Sequence, residues 1–347
     1  MTRNAKRAAI IGGGVLVLAG GIFFFLLNRG LEDVPLVGGL AGDPKCPLTS
    51  HEPARESLVE RPAVVVKIEN NPVAYPLSGL EDAEIVYEEP VEGGLTRFLA
   101  IYHCTDSSQA GPVRSARIVD PPLITPYTHI LGAAGGNDIV IDELNEAEIV
   151  IIDETKAGSA MTRVDRPGIT FEHTLYADTA GVRKLGRKDF DEAPPDDLFE
   201  FGDLQGTGRR ARSVTLTFSA GTVVTYDWNG KRWDRSDGEA PLTNEAGSQI
   251  QVDNVIIEEH TVDHSERLSD VLGTPSPEIA DVTGSGRAFL FRDGRMFAGR
   301  WTRESEDEPA VFETRGGDEF VLKPGTTWIE LLPDKTGDVK GSFSVAK

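Results

Sequence analysis

Residues 84–103 read EIVYEEPVEGGLTRFLAIYH. Two runs rich in Ile, Val, Tyr, Phe and Leu flank Gly93-Gly94, a combination that predicts an antiparallel hairpin. With Gly93-Gly94 as a two-residue turn, Glu92 pairs with Leu95 and Glu88 with Leu99. Arg97 then shares an apolar face with Leu95, Leu99 and Ile101, diagonal to both glutamates. An arginine on such a face needs partners, so an ion pair with these carboxylates is expected, and ligand binding is the alternative. Upstream, AVVVKIE (63–69) carries consecutive valines, the mark of a strand buried on both faces. It ends in Asn70-Asn71-Pro72, a turn signal. Ligand sites in open α/β sheets collect at strand ends, so Asn70 is either a ligand contact or a turn cap.

Working outward, NDIVIDELNEAEIVIIDE (137–154) reads as two further strands around a short helical or turn segment. YADTAGVRKLG (176–186) reads as a helix ending at Gly186. Residues 191–211 are rich in Pro, Gly and charge and mark the best domain boundary. Beyond it, SVTLTFS, TVVTYDW, IQVDNVIIEEH, RAFLFRD, RMFAGRW, EFVLK and TWIELL are short β-type runs. Asn229-Gly230 and Asp293-Gly294 are the strongest hairpin signals, and residues 262–284 read as a long excursion. The expected fold is therefore α+β, with an N-terminal mixed α/β domain (61–190), a linker (191–211) and a mainly antiparallel β domain (212–335). A tether (30–60) precedes these domains and a tail (336–347) follows them.

The 347 residues carry 56 acidic and 35 basic side chains, a net charge of −21. The first 29 hold Arg3, Lys6, Arg7 and Arg29 with no acid, which leaves −25 on the rest. A body this acidic repels phosphate backbones, which excludes non-specific nucleic-acid binding. Residues 8–27, AAIIGGGVLVLAGGIFFFLL, are uncharged and long enough, at about 30 Å, to cross a bilayer. The preceding basic residues orient the span with its N-terminus in the cytoplasm and the bulk of the chain outside. The segment lacks a small-x-small cleavage pattern, so residues 1–29 read as an uncleaved single-pass anchor rather than a signal peptide. Cys46 and Cys104 both fall on the exported side, where an oxidising compartment leaves them free to pair.

Within this acidic chain, GPVRSAR (111–117) places two arginines beside a hydroxyl. Gly111-Pro112 is read as a helix start and Pro121-Pro122 as its stop, which sets Arg114 and Arg117 on one face. With Ser115 they form a small anion site. The bland alternative has them bonded to Glu or Asp of neighbouring strands. His260, Asp263, His264 and Glu266 have ligand chemistry, but their strand-to-loop setting is wrong for a chelate, so no metal site is assigned. No cofactor motif appears.

Several segments together resemble the YerB-like lipoproteins, two-domain envelope proteins of unknown function. They are residues 61–102, GPVRSAR, EHTLYAD (172–178), VTLTFS (214–219), NVIIEE (254–259), GSGRAFLFRDGRMFAGRW (284–301) and LKPGTTWIELLP (322–333). They occur in the expected order over residues 61–333. The resemblance implies an extracytoplasmic, membrane-attached protein and supplies no activity. It also draws attention to His173, within the EHTLYAD motif, as a ligand contact or a helix cap. Lipoprotein members carry a lipidated cysteine directly after the signal sequence. Here Cys46, in AGDPKCPL, is not in a lipobox, which favours attachment by the helix. The expectation is a non-catalytic binding or scaffolding module whose partner is a cell-wall component or an envelope protein. The alternative is a cell-wall-directed hydrolase or transferase.

Overall fold

Strand β1 (Val64–Asn70) is buried at every position, as its valine run requires. It pairs antiparallel with β3 (Thr96–Tyr102), which pairs antiparallel with β2 (Ile85–Pro90). The β2–β3 register sets Pro90 against Thr96, Glu89 against Arg97 and Glu88 against Phe98. This corrects the two-residue turn. Gly93 and Gly94 both take positive φ, 71° and 72°, inside a longer loop closed by the Val91 N–H donating to Leu95 O at 2.8 Å. The register differs by one residue from that expectation, which moves Glu88 to the sheet face opposite Arg97 and puts Glu89 across from it.

The computed structural model describes residues 44–188, 198–203, 206–270, 272–279 and 281–347. The expected span at 8–27 lies outside them. Among the described residues, no helix is long and apolar enough to cross a membrane. Residues 44–347 form one compact unit.

The sheet extends from β1 through β4 (Ile130–Gly132) and β5 (Val150–Ile152), both parallel to their inner neighbour. Helix Asp138–Glu146 makes the crossover between them, where the sequence suggested a strand. The Asn137 side chain accepts from the Ile139 N–H at its start, and Val140 and Leu144, one turn apart, are its buried positions. At the other edge, β2 pairs in parallel with Thr327–Pro333, which pairs in parallel with Asn254–His260. Gly284–Arg292, Arg295–Arg303 and Val311–Thr314 follow. One mixed sheet therefore runs through both halves of the chain, while the expected linker falls partly on residues outside the described set.

On one face the C-terminal half stacks a second sheet, and Val214, Leu216, Tyr226 and Trp233 pack with Val255, Ile257, Phe291 and Trp328. Ser342–Ala346, assigned above to the tail, is a strand of this second sheet, paired with Ser213–Thr217. On the other face, Leu123 and Ile124 of helix Asp120–Ile124 and Leu144 pack with Val65, Leu99 and Ile101. Asp293-Gly294 makes the two-residue turn its sequence predicts, with φ of 49° and 66°. Asn229-Gly230 instead sits in a four-residue loop between paired Trp228 and Trp233. The 262–284 excursion contains a two-stranded ribbon, Val262–Ser269 with Pro275–Ile279.

Cys46 and Cys104 form a disulfide, with Cα atoms 6.0 Å apart. Leu48 beside it is buried, so the expected tether is already docked on the body by Cys46. Glu84, His103 and Cys104 offer the closest metal-like cluster among the described residues, but the disulfide occupies the Cys104 sulfur.

A cleft built around three arginines

GPVRSAR is not helical. Its backbone is laced laterally into the sheet. The Glu69 N–H donates to Pro112 O, the Arg114 N–H to Lys67 O, and the Ala134 N–H to Arg114 O, each at 2.9 Å. Main-chain groups committed sideways cannot close i-to-i−4 bonds, so the segment stays extended. The peptide before Pro112 is cis, and Gly111 takes φ 154°. A Cβ there would meet Leu175 O and Tyr176 Cδ1, both at 2.9 Å, so only glycine fits. The Pro121-Pro122 pair, read as a helix stop, instead opens helix Asp120–Ile124, where the missing N–H groups have no helical acceptor to lose.

The loss of that helix does not scatter the candidates. Asn70, Arg97, Arg114, Ser115 and Arg117 all line one cleft of about 480 Å³. The ribbon of the C-terminal half closes another side with Leu268, Ser269, Asp270, Ser276 and Pro277. Nothing in the local sequence showed that contribution, because it comes from residues some 150 positions away.

The three guanidiniums have different partners. Arg117 Nη2 bonds the Glu92 carboxylate, and its Nη1 donates to Ala116 O at 2.9 Å. Arg114 Nη1 donates to Glu172 O at 2.7 Å, and its Nε lies 3.7 Å from Glu69 Oε1. The Arg97 guanidinium makes one hydrogen bond among the described residues, Nη1 to Ser115 O at 3.0 Å. Among the described residues, no carboxylate oxygen lies within ion-pair distance of Arg97, so the pairing expected from the hairpin is absent. Its cross-strand neighbour Glu89 turns to Lys67 instead. Burial pushes the Arg97 guanidinium down to about 9, and the adjacent charges of Arg117 and Arg114 add to the effect. Glu92 shows the reverse balance. Burial would raise its carboxyl, but Arg117 and the Ser276 hydroxyl hold it below the usual range.

Beneath the cleft, Lys67 Nζ bridges the Glu89 and Asp120 carboxylates, and all three side chains are buried. Asp120 Oδ2 also accepts the Arg117 N–H at 2.7 Å, which fixes the backbone of the arginine segment. Burial raises the Glu89 carboxyl, opposed by the Lys67 charge. A lysine inside a valine run is the signal that could have announced this cluster, since a buried ammonium demands carboxylates. His173 lies behind the wall, its Nδ1 2.6 Å from Glu69 Oε2, so it braces the acid that faces Arg114. Asn70 lines the cleft, yet its amide donates to Thr96 Oγ1 at 2.8 Å and Glu88 Oε1 at 3.2 Å, in a network on the opposite face of the sheet. The His260 ring stacks on Trp301 and bonds Glu258, and both His260 and His264 lie on strands, where the sequence suggested a strand running into a loop.

Residues 48–191 match the family model described as "Protein of unknown function (DUF3048) N-terminal domain", and residues 214–329 match its C-terminal counterpart. The chain belongs to the DUF3048 family. It is 27% identical over 334 residues to "Putative lipoprotein YerB" of Bacillus subtilis (strain 168), covering 90% of this chain and 93% of that one. The crystal structure of the Bacillus subtilis YerB protein is similar, with a TM-score of 0.71 at 25% identity, over 87% of this chain and 99% of that one. The fold and two-part organisation are thus those of the DUF3048 family, a membership legible in the ordered motifs from RPAVVVKIEN to LKPGTTWIELLP.

Proposed function

We propose that this chain is an extracytoplasmic, membrane-attached binding protein whose arginine cleft holds an anionic group of a cell-envelope component. The carrying observation is Arg97, a partly buried guanidinium with a single carbonyl partner, on the wall of a cleft sized for a small ligand. A charge in that position is poorly compensated by the protein, so an anion arriving there recovers energy lost on burial. Attachment outside the membrane fits the Cys46–Cys104 disulfide, the apolar 8–27 segment as an anchor, and the lipoprotein designation of the Bacillus relative.

Binding is better supported than hydrolysis or group transfer. Of the cleft carboxylates, Glu69 and Glu92 are each held by arginine and Asp270 Oδ1 accepts the Leu272 and Thr274 amides, while His173 is spent on Glu69. A general acid or base would need freedom to exchange its proton with substrate. The test is retention of the full chain on purified cell-wall material. Arg97→Gln combined with Arg114→Gln and Arg117→Gln should abolish retention, and added salt should weaken it in the unaltered protein. A folded triple variant that is retained undiminished would sink the assignment.

A further inference from the structure

The charges of the cleft restrict what kind of anion it takes. Arg114 faces Glu69 and Arg117 bonds Glu92, so these two pairs are matched. Beneath them, Lys67 is shared between Glu89 and Asp120. Among the described residues of the cleft, Arg97 alone lacks a carboxylate within ion-pair distance. The lining also carries Asp270, whose Oδ1 accepts the Leu272 and Thr274 amides. A ligand bearing one negative charge completes Arg97. A second negative charge on the same ligand would share the cleft with the carboxylates of Glu69, Glu92 and Asp270, and like charges repel. Inorganic phosphate and phosphate monoesters, which carry more than one negative charge near neutral pH, are therefore poor fits, whereas a single carboxylate matches the planar fork of a guanidinium.

The rest of the wall describes the body attached to that carboxylate. Val91, Leu95, Ile118 and Leu268 present apolar surface, interleaved with the amide of Asn71 and the hydroxyl of Ser269. Alternation of apolar patches with hydrogen-bonding groups suits a peptide backbone with small uncharged side chains better than a hydrocarbon chain or a highly hydroxylated sugar.

Resting on the anion-binding reading above, we propose that the cleft recognises the free C-terminal carboxylate of a short uncharged peptide, with Arg97 as the receptor for that carboxylate. Arg114 and Arg117, each already matched by an acid, shape the entrance and orient the approach.

The experiment is calorimetric titration of the full chain with five probes: N-acetyl-L-alanyl-L-alanine, N-acetyl-D-alanyl-D-alanine, the C-terminal amide of each, and inorganic phosphate as the non-peptide anion. At least one peptide acid should bind roughly 10- to 100-fold more tightly than its amide, the ratio expected for loss of a charge-assisted hydrogen bond. Preference between the two stereochemistries then tells wall-type peptide termini from ordinary protein termini. Arg97→Gln should erase the acid-over-amide preference. Should that variant fail to fold, the comparison of acid with amide on the unaltered protein still decides. Equal binding of acid and amide overturns the carboxylate assignment. Phosphate binding without peptide binding overturns it too, but leaves the anion-binding reading intact. Failure of every probe to bind overturns the carboxylate assignment, and retention on cell-wall material then decides the anion-binding reading separately.

Discussion

Two arginines, Arg97 on a strand of the main sheet and Arg235 on a strand of the second sheet packed against it, show how differently one side chain can be used. Arg235 is fully buried. Its Nη1 donates to Glu88 Oε2 at 2.7 Å and to the Tyr226 hydroxyl at 2.8 Å, and its Nη2 donates to Asp237 Oδ1 at 2.8 Å. Its guanidinium carbon sits 4.8 Å from the Trp328 ring centre, and its Nη1 lies 3.6 Å from Glu330 Oε1. Burial alone would lower it, yet Asp237 and Glu88 lift it well above its ordinary value. Arg97, with one carbonyl and two neighbouring arginines, is displaced the opposite way. The difference is made by adjacent residues of β2. Glu88 and Glu89 point to opposite faces, and the first serves Arg235 while the second serves Lys67. Arg235 is a fastener between the two halves of the chain; Arg97 is left open.

The strongest way to break this contrast is Arg235→Ala. It strands Glu88 and Asp237 in the interior and should cost about 3–5 kcal/mol of stability by urea unfolding. A loss smaller than about 1 kcal/mol would show that the cluster is not the fastener claimed.

A second test follows a buried basic group that has shed its charge. His103 is buried, and its Nε2 lies 2.8 Å from Arg61 O. Burial, with the nearby Arg61 and Arg183, pulls it down to about 4 from its ordinary 6.5. Between those values the unfolded chain binds a proton that the native protein refuses, so stability rises with pH across the window. On acidification from pH 6.5 to 4, His103 should therefore withdraw on the order of 2 kcal/mol. The acid limb of the stability profile should flatten in His103→Gln, and an unchanged limb would remove His103 as its source.

The third test has the opposite sign. Arg97→Gln removes a poorly compensated charge while Gln can still donate to Ser115 O. Stability should hold or rise by about 1 kcal/mol, although ligand affinity is lost. A drop comparable to that of Arg235→Ala would mean that Arg97 is structural after all.

How far these roles could be read from the sequence depends on the range of the interaction. β1 was visible because an unbroken valine run has one good environment, and Asp293-Gly294 because its turn needs positive φ at both positions. The arginines of GPVRSAR were found by composition, but their backbone was misread. Proline marks a helix start as readily as a stop, and only the lateral hydrogen bonds to Lys67 and Glu69 exclude the helix. The Glu88/Glu89 assignment turned on the register of a loop containing two glycines, where one residue exchanges the faces. The ribbon wall and Arg235 were out of reach, since both depend on parallel pairing of Thr327–Pro333 with β2 across more than 200 residues.

The smallest expected effect probes the charge state of the Arg235 cluster. Glu88 and Glu330 are register partners on neighbouring parallel strands, and with Asp237 they set three carboxyls around one guanidinium. Full ionisation would leave excess negative charge without water to screen it. The balance is restored if one carboxyl keeps its proton; Asp237 is raised, and Glu330 is pushed well above the carboxylate range. Burial and then the Glu88 charge raise Glu330, while the Tyr226 hydroxyl donates to it. A protonated acid is close to an amide in shape and hydrogen bonding, so Glu330→Gln should change stability by less than about 1 kcal/mol. Glu88→Gln removes the carboxyl that Arg235 Nη1 bonds at 2.7 Å and should cost about 2–3 kcal/mol. If the two substitutions cost the same, the proton is shared between Glu88 and Glu330 rather than held by one, and the cluster is a coupled pair of acids around Arg235.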